Sequence, residues 1–146
     1  EHTLEKVVIL AALMPIVGGM GGSAGTQSLA VIVRSMATGD MEPSLFGRAL
    51  RKEVVVGLVN GFENGLIILF IAWFWLGNFW VGVVLGGALI ANQVIAGIAG
   101  TTVPTILKLV KIDPATSSGV LVTTLTDITG FIVFLGLATL LLTHLV

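Results

Sequence analysis

One acidic residue, Asp127, lies within the apolar segment LVTTLTDITGFIVF near the end of the chain. A charge in hydrocarbon is costly, so ionisable residues in apolar spans usually face a bundle interior or a water path. Small and hydroxyl-bearing residues recur around it at intervals of three or four, which places them on one helix face. The members of this face are Thr116, Gly119, Thr123, Asp127 and Gly130.

The face on which Asp127 lies has two readings. Small residues permit close helix approach and threonine hydroxyls bond across helices, so a packing surface is one reading. A packing surface does not require a carboxylate, which favours a functional role for Asp127. Oxygen ligands suit hard cations such as Mg2+ or Ca2+ and do not suit copper or iron. The pattern therefore indicates cation passage without choosing the ion.

A second unusual segment is PIVGGMGGSAGTQS, in which five glycines fall between Gly18 and Gly25, shortly after Pro15. A glycine inside a helix costs up to about 1 kcal/mol relative to alanine, and proline removes a hydrogen bond. Tight packing through GxxxG pairs is one explanation. A locally loosened helix whose carbonyls face a water-filled space is the other. The residues leave both open.

Two further polar groups lie in apolar segments. Asn60, Glu63 and Asn64 share a helix face, where Glu63 is either a second acid on a transport path or a protonated group bonded to its asparagine neighbours. The second, structural reading is favoured. Asn92 and Gln93 are expected to bond to neighbouring helices.

The composition defines the class of protein that must position these residues. Of 146 residues, 55% are hydrophobic and only 10% are charged, whereas about a quarter are charged in soluble domains. The chain has no cysteine, so it has no disulfide framework and no thiolate metal site. The net charge of -1 gives no sign of nucleic-acid binding. No nucleophile–base pair is recognisable, so no enzyme activity is expected.

Four apolar segments are long enough to cross a bilayer, which takes roughly 20 residues each. They lie at about 4–36, 54–76, 79–107 and 116–146. Their continuous apolar character predicts an all-α, polytopic membrane protein rather than a β-barrel. No linker or soluble segment divides the chain, so residues 1–146 are expected to form a single transmembrane domain.

The distribution of positive charge predicts the orientation. Basic residues cluster between the first and second spans and between the third and fourth, at Arg34, Arg48, Arg51, Lys52, Lys108 and Lys111. The remaining turn, WLGNFW, has no charge and carries tryptophans suited to a membrane interface. The positive-inside rule places both basic loops in the cytoplasm and the C-terminus outside. An outside N-terminus without a signal peptide predicts a fragment that lacks an odd number of upstream spans.

The segments PIVGGMGGSAGTQS and KIDPATSSGVLVTTLTDITG, separated by the basic loop and two apolar helices, resemble the membrane domain of the MgtE family of magnesium channels. The resemblance covers essentially the whole chain. It implies a five-helix domain, of which this chain supplies helices two to five. It also implies a homodimer with one pore at the two-fold axis, lined by the first and fourth spans of this chain, in a bacterial or archaeal plasma membrane.

The resemblance also assigns residues. The family's ion-binding carboxylate falls on Asp127. Its pore-lining positions fall on the glycine carbonyls and small polar residues Gly19, Gly22, Thr26, Gly119 and Thr123. The family often has asparagine at the positions of Thr26 and Gly119, so the preference for Mg2+ over Mn2+, Co2+ or Ca2+ is less secure here.

Two further acids stand outside that assignment. Asp113 falls where the family's gating region meets the pore, and Glu63 has no assignable counterpart. Many members carry cytoplasmic domains that sense Mg2+, but none lies in this chain.

Three functions are therefore compared. The first is a channel for hydrated Mg2+ with Asp127 of each protomer forming the ion site. The second is a secondary transporter that exchanges Mg2+ or another divalent cation for H+ or Na+, with Glu63 as a separate proton site. The third is a membrane scaffold that uses its glycine-rich faces for assembly and transports nothing.

Overall fold

The structure, a computed structural model, describes residues 2–141 apart from the side chains of residues 2–7 and Pro43. The described chain is helical, and its elements are α1 (His2–Ala37), a short 3-10 turn (Pro43–Leu45), α2 (Phe46–Leu76), α3 (Phe79–Leu109) and α4 (Pro114–Leu140). Four helices are long and apolar enough to cross a membrane. The prediction of an all-α protein with four spans is confirmed.

The largest difference in boundaries is at the start of α2, which begins at Phe46 rather than at residue 54. Hydropathy marks only the apolar part of a helix, whereas the preceding FGRALRKE is rich in residues with high helix propensity. The basic residues of the expected loop therefore lie in the first turns of α2. Pro43 and Ser44 lie in the 3-10 turn that leads into it. The predicted end of the fourth span, at 142–146, falls outside the described residues.

Helix α3 lies at the centre of the bundle. It packs against α1, α2 and α4, and α1 also packs against α4. The apolar core lies around the half of α3 that follows the α2–α3 turn, and its largest fully buried side chains are those of Val17, Val84, Leu85, Leu89 and Phe134. Helices α1 and α2 both rest on α3 but make few contacts with each other. A cleft therefore separates them.

Glycines bring α2 and α3 into backbone contact. A Cβ atom placed on Gly61 would lie 2.7 Å from the Cα atom of Ile90. One placed on Gly65 would lie 3.0 Å from the carbonyl oxygen of Gly86. Small residues at such positions permit the close approach on which helix packing in membranes depends.

Two local features form the α2–α3 turn, one that ends α2 and one that begins α3. Gly77 ends α2 in the left-handed conformation, with φ 65°, which glycine adopts at no steric cost. The Asn78 side chain then accepts a hydrogen bond from the Trp80 backbone N–H at 2.9 Å and begins α3. The aromatic rings around this turn, including the exposed Trp75, match the interface belt that the sequence predicts.

Candidate cation site

Asp127 lies on α4 with its carboxylate against α1. A Cβ atom placed on Gly18 would lie 3.1 Å from Asp127 Oδ1 and 3.4 Å from the Phe131 ring. Because Gly18 has no side chain, the carboxylate lies close to bare helix backbone while its own residue stays exposed. Gly18 was not among the predicted site residues, although its GxxxG spacing to Gly22 was a signal that could have identified it.

Gly22 and Thr123 lie one turn along the same two helices. A Cβ atom placed on Gly22 would lie 3.8 Å from Thr123 Cγ2 and 3.8 Å from Thr126 Oγ1. The Thr123 hydroxyl donates to the Gly119 carbonyl at 3.0 Å, and the Thr126 hydroxyl donates to the Thr123 carbonyl at 2.9 Å. The hydroxyl protons are therefore used within α4, and the oxygens keep lone pairs that can accept.

Thr26 and Gly119 lie farther along the same helices, toward the α3–α4 connection. Thr26 is exposed, and its hydroxyl donates to the Ser23 carbonyl at 2.9 Å. A Cβ atom on Gly119 would meet nothing within 4 Å. Neither residue is held by a neighbouring helix. We define the polar face as Gly18, Gly22, Thr26, Gly119, Thr123 and Asp127.

Gly19 lies on the neighbouring side of α1. It is exposed, and a Cβ atom there would meet nothing within 4 Å. It lines the cleft between α1 and α2, near Asn64 and Gln93, rather than the contact between α1 and α4. The structure thus brings Gly22, Thr123 and Asp127 together and sets Gly19 to one side. Its pore-lining role stays a prediction.

Helix α1 continues unbroken through its glycines, as expected where they serve close packing. Asn92 of α3 fills the space beside two glycines, Gly21 of α1 and Gly130 of α4. Its amide donates to the Val17 carbonyl at 2.8 Å, which confirms the bond to a neighbouring helix expected of this residue. A Cβ atom on Gly21 would overlap Asn92 Nδ2, and one on Gly130 would lie 2.7 Å from it. Asn92 of α3 is therefore hydrogen-bonded to α1 and packed against α4, on the inner side of the polar face.

The acid Glu63 lies apart from Asp127. It is exposed on α2 between large apolar side chains such as Phe62, which is 58% exposed. Asn60 and Asn64 instead line the cleft between α1 and α2. The Asn64 side-chain amide donates to the Asn60 backbone carbonyl at 2.8 Å. The expected pairing of these amides with Glu63 is therefore not the arrangement found.

Asp113 has a local structural role. Its carboxylate accepts a hydrogen bond from the Ala115 backbone N–H at 3.1 Å, and Pro114 follows at the first position of α4. Together they begin the helix that carries Asp127, since a capping carboxylate and a first-turn proline both favour a helix start. The Asp113 side chain is exposed at the end of the bundle where the basic residues lie.

The ligand set limits how an ion can be held. Among the side chains that the structure describes, no three His, Cys, Asp or Glu residues gather closely enough to hold a metal ion. The polar face offers one carboxylate among neutral oxygens. Mg2+ sheds water reluctantly and is commonly held by one or two carboxylates while keeping several waters. The face therefore fits an ion contacted through its water shell better than a dehydrated one.

The four spans and the oxygen-lined polar face define a multi-pass helical membrane protein. The chain belongs to the MgtE family, whose family model, described as a divalent cation transporter, matches residues 14–137. The family resemblance inferred from the two motifs is thereby confirmed.

Three bacterial relatives named magnesium transporter MgtE match nearly the full chain. The protein from Enterococcus faecalis is 36% identical over 146 residues, which is all of this chain and 32% of the relative. That from Bacillus subtilis is 37% identical over 139 residues, 95% of this chain and 31% of the relative. That from Thermus thermophilus is 35% identical over 142 residues, 97% of this chain and 31% of the relative. The chain thus spans about a third of their length.

Proposed function

We propose that this chain is the pore-forming part of a divalent-cation channel that conducts hydrated Mg2+, with Asp127 of two copies forming the ion site. The observation that carries the proposal is the exposure of Asp127 on the polar face at the outside of a single chain, in a helix whose other residues are all uncharged. A carboxylate facing lipid is costly. A second copy placed against the polar face removes both acids from lipid and brings them to one path. The names of the relatives support Mg2+ as the ion.

In this arrangement each group of the polar face has a defined task. Two carboxylates balance the charge of one divalent ion. The waters around Mg2+ donate hydrogen bonds to the Asp127 oxygens, and threonine hydroxyls and glycine carbonyls accept others. Contact through water keeps the ion from being held too tightly, since conduction requires binding strong enough to attract and weak enough to release.

The proposal extends to the whole protein. In this proposal the bundle spans the plasma membrane of a bacterial or archaeal cell, and the α1–α2 and α3–α4 connections lie in the cytoplasm because the basic residues lie in or beside them. In the proposed assembly, two copies of the chain form a homodimer with one pore on the two-fold axis. Cytoplasmic domains that sense Mg2+ would act near Asp113, which begins the helix that carries Asp127.

A channel and an exchanger differ in what sets the direction of flux. The exchanger hypothesis relied on Glu63 as a proton site, but Glu63 lies on an exposed apolar face away from the polar face and the cleft. For the full-length protein in planar bilayers, we expect the reversal potential to follow the Mg2+ gradient alone. A reversal potential that moves when only pH or Na+ is changed would show coupling and overturn the channel proposal.

The open space at Gly119 allows a direct test of selectivity. Gly119→Asn is expected to fold normally, because nothing lies within 4 Å of its Cβ position, and to add a carboxamide to the polar face. One added hydrogen bond contributes about 0.5–1.5 kcal/mol, so a bond made to the water shell of Mg2+ and not to Ca2+ should raise the Mg2+ to Ca2+ flux ratio roughly 2- to 13-fold. Gly136→Asn, at an equally open position of α4, is the matched control and should leave the ratio unchanged. An equal change in both variants would contradict the assignment of Gly119 to the ion path.

A further inference from the structure

A second polar region lies in the cleft between α1 and α2, with α3 as its floor. It consists of two adjoining hollows of about 580 and 240 Å³ that share Gln27, Asn60 and Gln93. Since a water molecule takes about 30 Å³ of liquid, the hollows have room for several waters. The polar residues that line them are Ser23, Gln27, Ser28, Lys52, Glu53, Asn60, Asn64 and Gln93. We call this region the α1–α2 cleft.

Glu53 is the acid of the α1–α2 cleft. It is only 7% exposed, and its Oε2 atom accepts a hydrogen bond from the Ser28 hydroxyl at 2.5 Å. Its backbone lies against α3, where a Cβ atom on Gly97 would be 2.7 Å from the Glu53 carbonyl oxygen. The carboxylate is therefore fixed on the wall of the cleft. In the sequence, Glu53 belongs to the charged segment GRALRKE, which gave no reason to expect burial.

Gln93 supplies an independent sign of a ligand. Its side chain is 4% exposed, and its Oε1 atom has no hydrogen-bond partner among the described residues. Gln93 also lines both hollows. Buried acceptors are almost always satisfied by protein, ordered water or an ion. The Oε1 atom is itself enclosed, but because Gln93 lines both hollows, a turn of its amide brings this acceptor to a ligand or its water in the cleft.

The charges around the cleft indicate how strongly a cation would be held. Glu53 is the one acid among the described residues that line the two hollows, and Lys52 lines the smaller one. Lys52 is exposed, so its long side chain can extend toward the membrane surface and away from an ion. At the mouth of the cleft, Asp40 and Arg48 line a further hollow that also reaches Glu53. One carboxylate among neutral amide oxygens suits a hydrated cation held weakly.

We propose that the α1–α2 cleft is a second cation site, in which the Glu53 carboxylate and Gln93 Oε1 hold a hydrated divalent cation through its waters. The site lies on the opposite side of α1 from Asp127, and its binding does not depend on the channel proposal. It opens toward the basic end of the bundle, between the start of α2 and the end of α1.

The test measures Mn2+, a paramagnetic divalent probe, bound to the purified full-length protein by electron paramagnetic resonance. The background is Asp127→Asn, which removes the acid of the polar face. In that background, adding Glu53→Gln should raise the Mn2+ dissociation constant of the α1–α2 cleft at least 10-fold. Adding Glu63→Gln, an identical change on the same helix outside the cleft, should leave binding unchanged. Equal Mn2+ binding with and without Glu53→Gln would overturn the proposal.

A second variant covers the case in which Glu53→Gln does not fold. Gln93→Met keeps the length of the side chain and leaves the bond between Ser28 and Glu53 in place. It is expected to weaken the same Mn2+ site about threefold or more, with an unchanged melting temperature in the absence of metal. Competition identifies the class of ion: Mg2+ should displace the bound Mn2+, and Na+ at equal ionic strength should not. Wild-type Mn2+ binding in Gln93→Met, or equal displacement by Na+, would contradict the proposed site.

Discussion

Asp127→Ala is expected to lower Mg2+ flux by about 100-fold or more while the protein keeps its fold. A hydrogen bond to a charged group contributes about 1.5–3 kcal/mol. The proposed site loses one carboxylate from each of two copies, which amounts to several kcal/mol and at least two orders of magnitude in ion affinity. The fold should survive because Asp127 is exposed in the single chain and contacts the backbone of α1 at Gly18 without filling the apolar core.

The measurement is Mg2+ uptake by the full-length protein in liposomes, followed with a trapped indicator. Asp127→Asn separates charge from shape and should be nearly as inactive as Asp127→Ala. Glu63→Ala is the matched control, since it also removes an exposed acid from an apolar helix, and we expect its flux to stay within about twofold of wild type. A folded Asp127→Ala protein with wild-type flux would exclude Asp127 as the ion site, whereas no flux in the wild type and the variants alike would favour the scaffold hypothesis. Loss of flux in Glu63→Ala alone would assign the ion path to α2.

Gly61→Ala is expected to be among the most destabilising single methyl additions to the α2–α3 interface. The new Cβ would lie 2.7 Å from the Ile90 Cα atom and 3.2 Å from the Ile90 carbonyl oxygen. The obstacle is backbone, so α2 and α3 must move apart along their contact. Overpacking of this kind typically costs about 1–3 kcal/mol.

Gly136→Ala, at a matched position inside a helix, is expected to leave the stability of the protein unchanged or to raise it. No atom lies within 4 Å of its Cβ position, and alanine is favoured over glycine within a helix by up to about 1 kcal/mol. Reversible unfolding of the two variants in mixed detergent micelles measures the difference. We expect Gly61→Ala to unfold at lower denaturant than wild type and Gly136→Ala at equal or higher denaturant. Equal destabilisation of both would mean that backbone proximity of α2 and α3 does not control stability.

Much of the architecture could be predicted from local properties of the sequence. Length and hydropathy identified the four spans, because each must bury about 20 apolar residues in the hydrocarbon. The same cost of burying charge singled out Asp127, and its spacing to Gly119 and Thr123 placed all three on one helix face. The order of two motifs identified the family, which the family model and the bacterial relatives confirm.

The class of protein, the four spans of this chain and the acid most worth testing could therefore be predicted from the sequence alone. Which side of each helix meets a neighbour became known only from the packing of the helices. It placed Gly18 rather than Gly19 beside Asp127, and it buried Glu53 while leaving Glu63 exposed. The physical reason is that membrane helices are apolar on nearly every side, so hydropathy marks their length but not their rotation. Rotation is set by packing of small residues and by polar contacts between helices, which depend on atoms far apart in the chain.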